Sequence, residues 1–144
     1  MEIKLRKATK KDYKRVLKLL ADFVKQPNRY KNFNNDSFMK VLKEPDSFII
    51  LAEEAKGIVG FITFSKRLVV RYPKPIVEIE EFYVSPKHRR QSIGRKLMEY
   101  VLAFAKKEKC QYIFLGSDKK RKIAHYFYKA LNFDEYAFHC RRKL

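Results

Sequence analysis

No apolar run among the 144 residues approaches the length needed to cross a bilayer as a helix. Cysteine is scarce: Cys110 and Cys140 have neither metal-ligand spacing nor the density of a disulfide framework, and both read as small, partly buried side chains. No metal is expected. Glycine occurs four times and proline five times, and no Pro/Gly/Ser-rich stretch interrupts the chain as a linker. There is no repeat and no low-complexity tract. Residues Met1 to Arg6 lack the apolar stretch of a signal peptide, so the expected location is cytoplasmic, with no membrane partner. At 46% apolar the chain has material for a real core, which excludes wholesale disorder. Its length suits one domain over residues 1–144.

Acidic residues are also in deficit. Asp plus Glu number 16 against 34 Lys plus Arg, leaving a formal charge of +18. Such a field attracts anions and raises their encounter rate. The anion could be a phosphate-rich cofactor, an acidic protein or a nucleic acid, and part of the excess could be a lysine-rich solvated surface. Charge alone does not choose.

Hydrophobic periodicity supplies the rest. Ile3 to Ala8 alternates as a half-buried strand does, and Thr9 stands where an N-cap belongs, ahead of Asp12. Tyr13, Val16, Leu17, Leu20 and Phe23-Val24 recur at helical spacing, with Pro27 beyond. A second helix is expected from Asp36 to Leu42. Strands are expected at Ser47 to Ala52, Gly57 to Phe64 and Ile76 to Val84, the first two joined as a hairpin through Glu53 to Lys56. Ile93, Leu97, Tyr100-Val101 and Phe104-Ala105 mark one face of a long helix. Gln111 to Leu115 is expected as a short buried strand, and Ile123-Ala124, Phe127-Tyr128 and Leu131 mark another helix. Phe133 to Leu144 would pair as one or two last strands. The class is α/β or α+β: a mixed sheet with helices on its faces.

The chemistry concentrates between the third of those strands and the long helix. Val84-Ser85-Pro86-Lys87-His88-Arg89-Arg90-Gln91-Ser92-Ile93-Gly94-Arg95-Lys96 carries a strand end, a basic loop and a helix start. Backbone N–H groups in the first turn of a helix lack intrahelical partners and, with the helix dipole, hold anions. Gly94 lets a ligand approach the backbone. From the residues alone this is either a phosphate site or a solvated basic turn.

Val84-x-Pro86-x-x-Arg89-x-x-Ser92-x-Gly94 resembles the acetyl-CoA-binding motif V-x-P-x-x-Q/R-x-x-G-x-G/A of the GNAT acetyltransferases. Ala124-x-x-x-Tyr128-x-x-x-Asn132-Phe133 is similar to that family's A-x-x-x-Y-x-x-x-G-F. The element order agrees as well, so the resemblance spans nearly the whole chain. It implies the GNAT acyltransferase fold, a mostly antiparallel mixed sheet of about six to seven strands with about four helices. It implies acetyl-CoA as cosubstrate and acetyl transfer to a primary amine, on a small molecule or a protein, by direct attack in a ternary complex. Homodimers are common in the family. Three positions depart from the pattern. Ser92 replaces the first glycine, Asn132 replaces the glycine before Phe133, and Arg121 replaces an asparagine that contacts cofactor in many relatives.

The resemblance assigns Phe82, Tyr83 and Val84 to backbone contacts with pantetheine and the acetyl oxygen. It assigns Arg89, Arg90, Gln91, Ser92, Ile93, Gly94 and Arg95 to the pyrophosphate, with Arg121 at a further cofactor contact. Tyr128 matches the tyrosine that protonates or hydrogen-bonds the CoA sulfur; as a bare residue it reads first as a core aromatic on a helix face, and the motif position reverses that. Glu80 aligns with the base candidate of the polyamine acetyltransferases, with Glu81 as the other choice. Strand alternation puts Glu78 and Glu80 on one face and Glu81 on the other; all could also be solvated strand charges. His88 reads as a surface residue and His125 as a packing one. Tyr30 and Phe33 fall where relatives build an acceptor wall.

The +18 field opposes a cationic acceptor at long range, unless a local acidic pocket around Glu78, Glu80 and Glu81 overrules it. Two other readings stand beside this one. One is an RNA- or tRNA-directed protein using Lys119-Lys120-Arg121-Lys122 and Arg141-Arg142-Lys143. The other is a GNAT fold that binds acyl-CoA without turnover.

Overall fold

A computed structural model describes residues 2–21, 32–117, 121–137 and 139–144. Phe23, Val24, Pro27, Tyr30, Lys119 and Lys120 lie outside the described residues. The chain divides into two compact units, Met1–Phe114 and Leu115–Leu144.

The elements run β1 (Lys4–Lys7), α1 (Tyr13–Ala21), α2 (Asn35–Lys43), β2 (Ser47–Glu54), β3 (Gly57–Arg67), β4 (Ile76–Val84), α3 (Ile93–Lys107), β5 (Tyr112–Leu115) and α4 (Lys122–Ala130), with 3-10 turns at Lys10–Asp12 and Pro86–His88. They build one five-stranded sheet in the order β1-β2-β3-β4-β5. The first three pairings are antiparallel, with Ile50 opposite Ile62 and Ile62 opposite Phe82. The described sheet has five strands, fewer than the six to seven expected. The difference lies after α4, where residues 133–137 and 139–144 form no strand. Phe133-Asp134-Glu135-Tyr136-Ala137 does not alternate, and Arg141-Arg142-Lys143 offers no apolar face to bury.

β2 reads as a continuous apolar run because helices cover both its faces. Ile50, Leu51 and Ala52 are wholly buried. On one face Val16, Leu19 and Leu20 of α1 and Phe38 of α2 pack against Ile49, Leu51, Phe61 and Tyr83. On the other, Phe104 of α3 meets Phe48 and Phe64 at ring-centroid distances of 4.8 and 5.1 Å. Leu97, Met98 and Val101 of α3 are fully buried. Each such side chain contributes about 1.5–3 kcal/mol. Leu17, expected on the apolar face of α1, is 42% exposed. The buried stripe runs through Val16, Leu19 and Leu20 at spacings of three and four, leaving Leu17 at its edge.

Thr9 and Asp12 form a reciprocal capping box. Asp12 also takes two hydrogen bonds from Arg6, each 2.9 Å, and Arg6 reaches Glu53 on β2. Asp12 is 2% exposed. Its carboxyl is held at about 2 rather than 3.8, first by the Arg6 hydrogen bonds. Because the folded state holds this proton more weakly than the unfolded chain, the stabilisation is complete above about pH 4 and is lost as pH falls towards 2. The loss amounts to about 2 kcal/mol. Asp12→Asn should therefore lower the urea midpoint at pH 6, and the gap to wild type should shrink by about 2 kcal/mol between pH 4 and 2.

Candidate active site

Two features of Met1–Phe114 come together on β4: a cavity beside its middle and an anion-ready turn at its end.

The cavity has a volume of about 460 Å³. Apolar side chains of α1, α2 and the sheet make most of its wall, including Val16, Leu20, Phe38, Val41 and Phe61. Phe33 also lines it. Its polar groups include Thr63, Glu80 and Glu81. Both glutamates reach it because β4 is bulged. Thr63 stands opposite Glu81 and Phe64 opposite Ile79, so Glu80 is an extra residue without a cross-strand partner. The Glu81 amide donates to Thr63 Oγ1 at 2.9 Å. Alternation had separated Glu80 from Glu81. That reading assumed an unbroken pleat, and the bulge cancels it. The sequence does carry a sign of the slip. Ile79 and Phe82 share a face, being opposite Phe64 and Ile62, yet they are three apart rather than two, with Glu80-Glu81 between them. Thr63, which fixes the bulge, carried no signal of its own.

At its end β4 stays tightly bound to β3. Ser85 N–H donates to the Val59 carbonyl at 2.8 Å. A Cβ on Gly60 would lie 2.9 Å from the Tyr83 carbonyl oxygen, so only glycine permits this approach. The chain then passes through the Pro86–His88 turn. Arg89 folds back: its Nε donates to the Val84 carbonyl at 3.0 Å, and its guanidinium stands 5.8 Å from the Tyr83 ring centroid. His88 is not a free surface residue. Its Nε2 lies 3.3 Å from Glu54 Oε1, with the two side chains 23% and 10% exposed.

Arg90 and Ser92 both adopt left-handed backbone, with φ of 61° and 63°. For residues with a Cβ this costs about 1 kcal/mol each. Left-handed residues of this kind are the backbone conformation from which anion-binding nests of successive N–H groups are built. Ser92 is the N-cap of α3 yet makes no side-chain cap hydrogen bond. The first-turn amides of Ile93, Gly94 and Arg95 therefore have no intrahelical partner and no cap from Ser92, and the first intrahelical bond runs from Lys96 N–H to the Ser92 carbonyl at 3.0 Å. Arg90, Gln91, Ser92, Arg95 and Lys96 are exposed around this turn, whereas Ile93 is buried and offers only its backbone. Residues 84–96 contain no carboxylate. Donors, cations and dipole all favour a diphosphate here.

Arg121 and Tyr128 belong to the other unit, Leu115–Leu144. Arg121 is the N-cap of α4. Tyr128 packs against Phe127 and Phe133, at centroid distances of 5.7 and 6.0 Å. The helix ends in a Schellman turn: Asn132 has φ 66°, and Phe133 and Asn132 N–H donate to the Tyr128 and Lys129 carbonyls at 3.0 Å each. Asparagine thus takes the left-handed position that glycine holds in the motif, which explains why that departure is tolerated.

The sequence model of the Acetyltransferase (GNAT) family matches residues 9–133. The chain belongs to this family. It is an acyltransferase, a GNAT N-acetyltransferase, and acetyl-CoA is the usual cosubstrate of such enzymes. The chain is 31% identical over 124 residues to the aminoalkylphosphonate N-acetyltransferase of Salmonella typhimurium, covering 86% of this chain and 80% of that protein. The fold is also that of a transcriptional regulator from Bacillus halodurans, with TM-score 0.88, 25% identity and coverage of 99% and 100%. An aminoglycoside acetyltransferase from a soil metagenomic sample has TM-score 0.83, 22% identity and coverage of 99% and 96%. The GNAT fold is thus confirmed, as one mostly antiparallel sheet with four helices. No helix among the described residues is long and apolar enough to cross a membrane. Among them, too, no group of three or more His, Cys, Asp or Glu is placed to hold a metal ion.

Both cysteines are free; Cys110 is half-buried, but Cys140, expected to be partly buried, is exposed.

Proposed function

We propose that residues 1–144 act as one N-acetyltransferase domain that moves acetyl from acetyl-CoA to a primary amine held in the β4 cavity. The observation that carries this reading is the course of β4. One strand passes from a cavity bearing Glu80 and Glu81 to an uncapped, left-handed entry into a long helix.

The amides of Ile93, Gly94 and Arg95, with Arg90, Gln91 and Ser92 around them, would hold the pyrophosphate, and exposed Arg95 adds charge. Arg89 serves this site indirectly, by tying the loop back to Val84. Backbone groups of Phe82, Tyr83 and Val84 would align the pantetheine arm, and Arg121 a further part of the cofactor. Acetyl-CoA supplies the electrophilic thioester. The amine must first lose a proton, because an ammonium has no lone pair; Glu80 or Glu81 takes it, directly or through water. The nitrogen lone pair would then form the C–N bond as the C–S bond breaks, the second proton would pass to the other carboxylate or to water, and the departing thiolate would take a proton from Tyr128, which solvent then restores.

Thiol release from acetyl-CoA in the presence of a panel of amines tests the activity, and a rise in melting temperature with acetyl-CoA alone tests the binding. Tyr128→Phe should lower kcat about 10- to 100-fold while leaving the acetyl-CoA-induced thermal shift intact. Equal turnover would remove Tyr128 from the chemistry.

A further inference from the structure

The β4 cavity favours one class of acceptor. We propose that it takes a primary monoamine carried on an apolar alkyl or aryl body, with the ammonium at Glu80 and Glu81 and the body among Val16, Leu20, Phe38 and Phe61. The inference rests on the acetyltransferase reading above and names the substrate of that site.

Size, wall and charge each contribute. A volume of about 460 Å³ suits a small organic molecule. The wall is apolar except at Ser37, Ser47, Thr63, Ser65, Glu80 and Glu81, so a polyhydroxylated sugar amine would bury more hydroxyls than these few groups can partner. Two carboxylates at the cavity oppose an anionic head such as a phosphonate and attract an ammonium. The protein's +18 field acts in the other direction on cations. Beyond about 8 Å it is screened at physiological salt, so a single ammonium in contact with Glu80 and Glu81 is dominated by them. A polyamine would have to set its remaining charges against the apolar wall or in the positive field outside. The preferred acceptor is therefore singly charged.

Purified full-length protein should be given propylamine, butylamine, pentylamine, hexylamine, phenylethylamine, 2-aminoethylphosphonate, spermidine and kanamycin. Two readouts are taken: the thermal shift with each amine without acetyl-CoA, and kcat/KM from thiol release with it. Across the alkyl series KM should fall about fourfold per added methylene until the cavity is full. Hexylamine or phenylethylamine should exceed the phosphonate, spermidine and kanamycin at least tenfold in kcat/KM. The thermal shift by hexylamine should disappear in Glu80→Gln/Glu81→Gln, a change that keeps side-chain volume. A flat alkyl series, or a preference for the phosphonate, polyamine or sugar amine, overturns the acceptor class and leaves the acetyltransferase standing. No thiol release with any amine overturns both.

Discussion

In Ser92→Asp, acetyl-CoA binds about 30- to 100-fold more weakly, while the melting temperature holds or rises. The separation of the two effects is what makes the variant informative. Asp tolerates left-handed backbone, and a negative charge at a helix N-terminus is itself stabilising. The fold therefore accepts it at φ 63°. The new carboxylate, however, would sit where the pyrophosphate is proposed to bind, and two charges about 4 Å apart repel by several kcal/mol at a protein surface before salt screening. Ser92→Gly should move the other way. Removing the Cβ relieves the left-handed strain, raising the melting temperature by about 1–3 °C and leaving or improving acetyl-CoA affinity. Isothermal titration and differential scanning fluorimetry read both. If Ser92→Asp binds acetyl-CoA as tightly as wild type, the diphosphate does not lie at the mouth of α3.

The double variant Glu80→Gln/Glu81→Gln loses about 10²- to 10⁴-fold in kcat/KM for any amine acceptor, with acetyl-CoA affinity unchanged. Glutamine keeps the shape of both side chains and removes only their basicity, so the loss measures proton removal together with ammonium docking. The single variants divide the work. Glu81 has its backbone amide tied to Thr63 Oγ1 and is half-buried, whereas Glu80 is the exposed extra residue of the bulge. Whichever single change reproduces the double identifies the base. A loss of less than about threefold in the double would show that neither carboxylate takes the proton.

Much of this protein is legible without coordinates. The strand-like run from Ile76 to Val84, the 3.6-residue stripe from Ile93 to Ala105 and the Thr9–Asp12 cap are local patterns, and each element appears where its pattern lies. The proposed phosphate loop is legible for the same reason: strand end, basic turn and helix start adjoin in sequence, and the uncapped first-turn amides belong to consecutive residues. Even the Asn132 substitution could be read, because left-handed tolerance is a property of the residue itself.

Long-range pairing decided the rest. Whether Glu80 and Glu81 share a face depends on how many residues β3 sets against β4 between Phe64–Ile79 and Thr63–Glu81, and no single strand records that count. The partner of His88 is Glu54, 34 positions earlier in the chain (88 − 54), and the partner of the Glu81 amide is a threonine on the neighbouring strand. Chain neighbours thus determined the elements and the anion turn, since helix, strand and cap energies fall off within a few residues. The cavity beside β4 and its paired carboxylates exist only once packing brings α1, α2, β3 and β4 together, because a cavity wall and a bulge are relations between segments rather than properties of any one of them.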